Sequence, residues 1–422
     1  MPDRRSFLKT SAVATASASL LSFAPAVHAA GSDVLKVGLV GCGGRGTGAA
    51  QQAANTSSAV QITALADAFP DRLNSCKKTL KDNIGEKFAV TDKHCFVGLD
   101  AYKELIGSGV DVVLLATPPH FRPTHFRAVV EAGKHAFVEK PMSTDAPGCR
   151  SILESVHIAR EKNLAVVAGF CWRYHNAMRE MFKRIHDGDI GDIVSMEANY
   201  ITGTLWHLPK TPDLTEMEWQ IRNWLYFTWL SGDHICEQTI HTIDKLNWAM
   251  KDSPPKFAIG MGGRQVRTDP VFGNIYDHHA IAYEYDNGVK GYCFTRQMKD
   301  CANDNSFHVF GTKGSAHWQN NRWRIKGTKA WQATREQSSD DMYQHEHNEL
   351  FDSIRNGKPI NDGERMVRST MTGIMGRFST YTGKKIEWDM AMNSKEDLSP
   401  ASYKVDKYPT APVAMPGKTK FV

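Results

Sequence analysis

A glycine-rich turn that follows an apolar run constrains the fold of this chain more than any other feature. Residues 34–40, VLKVGLV, lead directly into Gly41, Gly43 and Gly46, which form the pattern Gly-x-Gly-x-x-Gly. The order predicts a strand, a tight turn and a helix. Gly41 would form the turn, Gly43 would admit backbone amides to a pyrophosphate, and Gly46 would let the helix pack closely on the strand. The segment therefore predicts a dinucleotide-binding domain.

A second apolar run, residues 60–66, ends in Asp67. An acidic residue about 20 positions beyond such a turn accepts the ribose hydroxyls of NAD. Arg45 in the turn and Arg72 after the acid could instead hold a 2′-phosphate, so NAD is favoured and NADP stays open. The residues predicted to bind cofactor in this first part are Gly41, Gly43, Gly44, Arg45, Gly46, Asp67 and Arg72.

The first thirty residues predict an export signal. Arg4 and Arg5 precede a weakly apolar stretch, and Val27-His28-Ala29 is a small-residue cleavage site, an arrangement typical of the twin-arginine route. A membrane anchor is the alternative, but residues 10–27 are too short and too rich in Ser and Thr for one. We expect a periplasmic protein without a membrane span. The leader carries +2 of the +5 formal charge, and the remainder is too small to indicate nucleic acid binding.

Apolar runs alternate with helical stretches up to about residue 170, which predicts a parallel, doubly wound sheet. Alternating runs then dominate and predict a largely antiparallel sheet with one free face. A chain of 422 residues is longer than one hydrophobic core usually serves, so we predict more than one domain. The predicted α/β chain has a signal peptide (1–30), a Rossmann domain (33–172), an α+β domain for substrate and oligomer contacts (173–394) and a tail (395–422). The eight cysteines are scattered without a CxxC pair, so we expect free thiols and no metal.

Three segments make the chain resemble the Gfo/Idh/MocA oxidoreductase family: GCGGRG, ATPPHFRPTHFRAVVEAGKHAFVEKP and EQTIHTIDKLNW. The resemblance covers nearly the whole mature chain. It implies that Lys140 lies by the nicotinamide and the substrate hydroxyl, that a cis bond precedes Pro141, and that the second sheet serves a homo-oligomer. Open α/β sheets also bind ligands at the carboxyl ends of their strands. The residues at such ends that we add to the predicted cofactor site are Thr117, Pro118, His120, Glu139 and Lys140.

The segment DHICEQTIH predicts the catalytic helix of the second domain. At helical spacing His234, Glu237 and His241 share one face. The family places Asp-x-x-x-His here, and this chain matches the histidine at His241 while Glu237 replaces the aspartate. We therefore predict Lys140, His241 and Glu237 as catalytic residues, with His241 as the base. A zinc site and a core histidine are the alternatives.

The residues predicted to contact substrate are Arg173 and Tyr174 after the last strand, Trp206 among four clustered tryptophans, and His234. Packing at the domain junction or in an aromatic core is the alternative for each. We expect His345 and His347 to be exposed, and His278 and His279 to point to opposite faces of a strand.

Export and cofactor together suggest the function. Because the periplasm offers no free nicotinamide pool, the cofactor should be tightly bound and regenerated in place. The favoured hypothesis is hydride transfer with a hydroxyl of a sugar, glycoside or cyclitol. The alternatives are a glycosidase that oxidises C3 transiently and a non-catalytic protein that retains a cofactor and binds sugar.

Overall fold

The protein folds around two sheets. The structure is a computed structural model that describes residues 34–56, 59–404 and 407–422; the predicted export signal lies outside these ranges. The strands are β1 Leu35–Val40, β2 Val60–Asp67, β3 Cys95–Val97, β4 Val112–Leu115, β5 His135–Val138, β6 Val166–Ala168, β7 Ile193–Thr202, β8 Phe257–Gly263, β9 His278–Glu284, β10 Lys290–Gln297, β11 Asp304–Gly311, β12 Gly314–Gln319, β13 Arg322–Gly327, β14 Trp331–Gln332 and β15 Ile386–Glu387.

The helices lie between and after these strands. They are α1 Gly44–Ala54, α2 Pro70–Ile84, α3 Ala101–Gly107, α4 Arg122–Glu131, α5 Ala146–Glu161, α6 Asn176–His186, α7 Glu216–Arg222, α8 Thr228–Ser231, α9 His234–Glu237, α10 Ile240–Ala249, α11 Arg335–Ser338, α12 Met342–Arg355, α13 Gly363–Thr382 and α14 Trp388–Met392. None of the described helices is long and apolar enough to cross a membrane.

The first sheet has six parallel strands in the order β3-β2-β1-β4-β5-β6. Strands β4 and β6 are wholly buried, as expected for a parallel sheet covered on both faces. The strand order reverses at β1, where β2 and β4 lie on either side. Doubly wound sheets bind ligands at this point, so the predicted Rossmann fold is confirmed and its binding edge located.

The second sheet has nine strands in the order β14-β13-β12-β11-β7-β10-β9-β8-β15. Every pairing is antiparallel except β7 with β10, which confirms the prediction of a largely antiparallel sheet. One face packs on α10 and α13. The other face leaves large apolar side chains at least 38% exposed, namely Ile259, Met261, Tyr292, Phe294 and Phe310.

Helix α12 and the tail, both late in the chain, pack against earlier parts of it. Helix α12 inserts Leu350, Phe351 and Ile354 into the core beneath β1, although it belongs to the predicted second domain. The tail returns over its own chain: the Lys395 amide donates to the Val422 carbonyl at 3.0 Å, and Glu396 pairs with the buried Arg377. The Leu398 amide also donates to the Asp145 carboxylate of the first domain at 3.0 Å, so the tail packs on both domains of this chain.

Candidate active site

The glycine turn has the geometry that its spacing predicts. Gly41 has φ +99°, and a Cβ on it would lie 2.7 Å from the backbone of Ala116. A Cβ on Gly46 would lie 1.9 Å from the Gly41 carbonyl oxygen. Gly43 caps helix α1, which begins at Gly44, and the first amides of a helix have no intrahelical acceptor. The turn is thus a cradle in which backbone amides face the space where a pyrophosphate would bind.

A cleft opens beside this turn. Its first-domain wall includes Asp67, Thr117 and Pro118, all predicted from the sequence, and its opposite wall includes Ile221 and Trp224 from the second domain. Polar groups along one wall and apolar side chains along the other suit an adenosine moiety. The residues present therefore fit a dinucleotide.

Asp67 and the two arginines have different surroundings. The Asp67 carboxylate accepts the Cys42 amide at 2.7 Å and the Phe69 amide at 2.9 Å, and burial raises its pKa. Arg72 lines the same cleft. Arg45 instead pairs with Glu139 at 2.8 Å and donates to Gln52. Of the two arginines, the structure brings only Arg72 to the cleft beside Asp67.

Lys140 and Glu237 meet across the two domains. Lys140 lies two residues after the end of β5 and is joined to Pro141 by a cis bond, and Glu237 ends α9. The Lys140 Nζ donates to the Glu237 carbonyl at 2.6 Å and to its Oε1 at 2.5 Å. Both side chains are about nine-tenths buried. Glu237 stands four residues before His241, where the family has aspartate. In the structure this glutamate accepts hydrogen bonds from Lys140.

His241 begins the first turn of α10, four residues after Glu237. Its Nδ1 is buried and has no hydrogen-bond partner among the described residues. Burial lowers the pKa of His241 well below its usual value, and the charges of Lys140, Lys245 and Arg45 act in the same direction. The imidazole is therefore neutral at pH 7, which a base requires.

The structure does not place His234, Glu237 and His241 on one helix face. The helix breaks at Gln238 and Thr239, between α9 and α10. His234 is 3% exposed, and its Nδ1 lies 2.8 Å from Asp233. The break turns its ring into the core, and its role as a substrate contact stays a prediction.

His234 belongs to a buried polar cluster. Asp233, His234 and His279 bring ligand-type atoms within 4.8 Å of one another. The Asp233 carboxylate also accepts the Tyr276 amide at 2.8 Å and the Tyr381 hydroxyl at 2.5 Å. These donors account for the buried charge without a cation. His279 lies on the inner face of its strand and His278 on the outer face, as predicted.

The other residues predicted to contact substrate also have different surroundings. Arg173 is buried and donates twice to Asp244 at 2.8 Å, and the Tyr174 hydroxyl donates to Asp362 at 2.8 Å. Both contacts correspond to the packing alternative at the domain junction. Trp206 is 47% exposed, and its ring centroid lies 6.4 Å from that of Trp224, which lines the cleft; its contact with substrate stays a prediction.

The structure also gives the surroundings of His120, His345 and His347. His120 lies against the tail, with its Nε2 2.7 Å from the Tyr403 hydroxyl, and burial lowers its pKa to about 4. The expectation that His347 is exposed is wrong, since its ring is buried against Phe137 in β5. His345 is about one-third exposed and pairs with Asp340.

Sequence reasoning missed two residues of the site. Arg122 is buried and donates to the Thr117 carbonyl at 2.7 Å and the Pro141 carbonyl at 2.8 Å, which fixes the ends of β4 and β5 relative to each other. Tyr200 on β7 faces Glu237; burial and then that negative charge raise its pKa to about 12. Arg122 stands in the segment that carries the family resemblance, but its contact with the Pro141 carbonyl is not visible in the sequence, and Tyr200 stands in no motif.

The fold and the site together define an NAD-binding oxidoreductase. Sequence comparison agrees: residues 35–170 match the family described as "Oxidoreductase family, NAD-binding Rossmann fold", and residues 178–317 match "GFO/IDH/MocA C-terminal domain". The chain belongs to the Gfo/Idh/MocA family. Residues 1–20 match the twin-arginine translocation signal, which supports export by that route.

Among curated relatives, a glycosyl hydrolase family 109 protein of Shewanella amazonensis is 28% identical over 64% of this chain and 62% of its own length. Inositol 2-dehydrogenase 3 of Saccharopolyspora erythraea is 26% identical over 61% of this chain and 64% of its own. The chain thus aligns with less than two thirds of each relative.

Solved structures share the fold. Aldose-aldose oxidoreductase of Caulobacter crescentus superposes with a TM-score of 0.66 at 17% identity, over 84% of this chain and 100% of that one. Levoglucosan dehydrogenase in complex with NADH and levoglucosan gives 0.66 at 17% identity, over 84% and 99%.

Proposed function

We propose that the protein is an exported enzyme that transfers hydride between a retained NAD and a hydroxyl of a sugar, glycoside or cyclitol. The observation that carries this proposal is the Lys140–Glu237 pair beside His241, at the junction of the two domains. An ammonium group has three N–H donors. Glu237 takes two of them, so one remains for a substrate oxygen.

Lys140, His241 and Glu237 would each have a separate role in the proposed hydride transfer. The bound NAD would accept the hydride. Lys140 would hold the reacting hydroxyl through its third donor, and neutral His241 would accept the hydroxyl proton. Glu237 would hold the Lys140 ammonium in place, since its carbonyl and carboxylate oxygens both accept hydrogen bonds from Lys140 Nζ. Because each role depends on a contact between the domains, the site is complete only when they are packed together.

The cleft favours NAD over NADP. A 2′-phosphate beside the Asp67 carboxylate would face a negative charge, whereas a ribose hydroxyl can donate to a carboxylate lone pair that the two backbone amides leave free. Arg72 would partly offset the repulsion. Arg45 is engaged with Glu139 and contributes little to that choice.

The tail supports retention of the cofactor. Tyr403 bonds His120, and the Tyr408 carbonyl accepts the Gln220 amide at 2.8 Å. Gln220 lies in α7, next to Ile221 of the cleft wall. The tail therefore fastens the second-domain wall of the cleft, which slows cofactor release in a compartment without a nicotinamide pool.

Protein purified without added cofactor tests the proposal. We expect an NAD absorbance on the isolated chain, and a rise at 340 nm when a suitable sugar or glycoside is added. Lys140→Met should retain NAD but lose the rise at 340 nm. A chain that retains NAD but reduces it with no candidate substrate would favour the non-catalytic alternative, and a chain that arrives empty would contradict retention.

The glycosidase alternative rests on the similarity to the Shewanella proteins of glycosyl hydrolase family 109. In that reaction oxidation at C3 acidifies the C2 hydrogen, the aglycone is eliminated, water adds and the hydride returns. Release of free aglycone from a glycoside without net NADH would favour it. Reoxidation of the bound NADH by a second carbonyl compound would favour coupled oxidoreduction.

We further propose a periplasmic homo-oligomer formed through the outer face of the nine-stranded sheet. The exposed Ile259, Met261 and Phe294 on that face support it, since soluble monomers rarely expose large apolar patches. Size-exclusion chromatography with light scattering, repeated on Met261→Lys, tests the contact. A variant of unchanged mass would contradict it.

A further inference from the structure

Lys245 is a buried cation held between two tryptophans. It lies in α10, one turn after His241, and is 0% exposed. Its Nζ lies 4.7 Å from the centroid of the Trp172 ring and 4.6 Å from that of Trp318. The same Nζ donates to the His241 carbonyl at 2.9 Å. A lysine is almost never fully buried without compensation, and here two indole faces supply it.

No carboxylate among the described residues forms an ion pair with Lys245. Its neighbour Asp244 is taken by Arg173 and by the Ser369 hydroxyl, which donates at 2.6 Å. Burial lowers the pKa of Lys245 to about 7. The titratable and charged groups that face it are Asp244, Cys171, Arg173 and His175.

Three cations act on His241 from different elements: Lys140 after β5, Arg45 from α1 and Lys245 from α10. Two of them are paired with a carboxylate, Lys140 with Glu237 and Arg45 with Glu139. A paired charge is largely cancelled at a distance, whereas an unpaired charge in a buried site is screened little. Lys140 has the largest charge effect on the pKa of His241 and Lys245 the next, and among the described residues Lys245 is the one of the three that has no ion-paired carboxylate.

We propose that Lys245, caged by Trp172 and Trp318 one helical turn behind His241, is a positioning residue that keeps His241 unprotonated. The proposal rests on the proposed role of His241 as the base. A positive charge behind the ring disfavours the imidazolium, so the base is ready when a substrate hydroxyl arrives. Removing the charge should let His241 protonate at a higher pH, and activity should then fall on the acid side of the profile.

A histidine NMR titration tests this without turnover. The full chain is labelled with ¹³C at histidine Cε1, and His241→Gln identifies the signal by its loss. We expect Lys245→Met to raise the titration midpoint of His241 by about one pH unit. Lys245→Arg, which keeps a charge between the two indoles, should keep the midpoint low. An unchanged midpoint in a folded Lys245→Met protein would overturn the proposal.

If the variants do not fold, the same titration of His241 in the unmodified chain tests the proposal. As Lys245 loses its proton near pH 7, the His241 signal should show a second, smaller inflection. A His241 signal without that inflection, or with a midpoint near 6.5, would overturn the proposal. Absence of turnover in a chain that gives the expected titration would count against the proposed function and leave the role of Lys245 intact.

Discussion

The substitution Gly46→Ala tests how the turn holds the cofactor. The added Cβ would lie 1.9 Å from the Gly41 carbonyl oxygen, and ordinary contact begins at 3.4 Å. The first turn of α1 must therefore move away from Gly41 by about 1.5 Å. Overpacking of this kind costs about 1–3 kcal/mol. A shift of that size also breaks N–H···O bonds from the helix to a pyrophosphate, since these bonds fail beyond about 3.2 Å.

Each lost bond to a charged group costs about 1.5–3 kcal/mol, which corresponds to about 10- to 100-fold in NAD affinity. We expect Gly46→Ala to be purified without NAD and to melt several degrees lower. The assay is the 260/280 nm absorbance ratio of the purified protein, followed by thermal melts with and without added NAD.

Gly48→Ala is the matched control in the same helix. Its Cβ would lie 3.8 Å from the nearest atom outside its own helix backbone, the Arg45 guanidinium, and alanine gains about 1 kcal/mol over glycine in a helix interior. This variant should keep its NAD and melt at the same or a higher temperature. If Gly46→Ala retained as much NAD as Gly48→Ala, the account of the turn would be refuted.

Three further predictions test individual carboxylates and the tail. Glu346 is fully buried, and burial raises its pKa. When the pKa of an acid is higher in the folded than in the unfolded protein, the folded protein loses stability as the pH rises above the unfolded pKa. Glu346→Gln should therefore stabilise the protein at pH 8 but hardly at pH 4.5, which thermal melts would show. Glu237→Gln should lower the single-turnover rate of NAD reduction by 10-fold or more, because it weakens the hold on Lys140, while NAD content stays unchanged. Tyr403→Phe removes one hydrogen bond, of about 1 kcal/mol, and should speed NAD release about 5-fold in a dilution assay. An unchanged release rate would argue against a role of the tail in retaining NAD.

The sequence predicts the first domain well because its signals are local. Strand β1 covers all but the first residue of the predicted run 34–40, and β2 differs from the predicted run 60–66 only by including Asp67. The roles of Gly41 and Gly46 follow from the spacing of the motif. Gly46 meets the Gly41 carbonyl within the same turn, and Gly41 meets Ala116 just after β4, which pairs with β1 in the sheet. The short β3 was missed because three residues carry no periodic pattern.

The segment predicted as the catalytic helix shows why the second half of the chain is harder to predict. Residues 234–241 have helical spacing, but Thr239 turns its hydroxyl to Thr295 of β10, at 2.7 Å, where the helix breaks. A contact with a strand more than fifty positions away decides which way His234 faces. The same reasoning applies to Arg173, whose carboxylate partners lie about seventy or more positions further along the chain.

The break between α9 and α10 also has a chemical consequence. A continuous helix would carry His234 and His241 on one face and offer both to the cleft. The break instead sends His234 to Asp233 in the core and leaves Glu237, the last residue of α9, to reach Lys140 of the first domain. One irregularity thus separates a structural histidine from the proposed base and joins the two domains at the reacting centre.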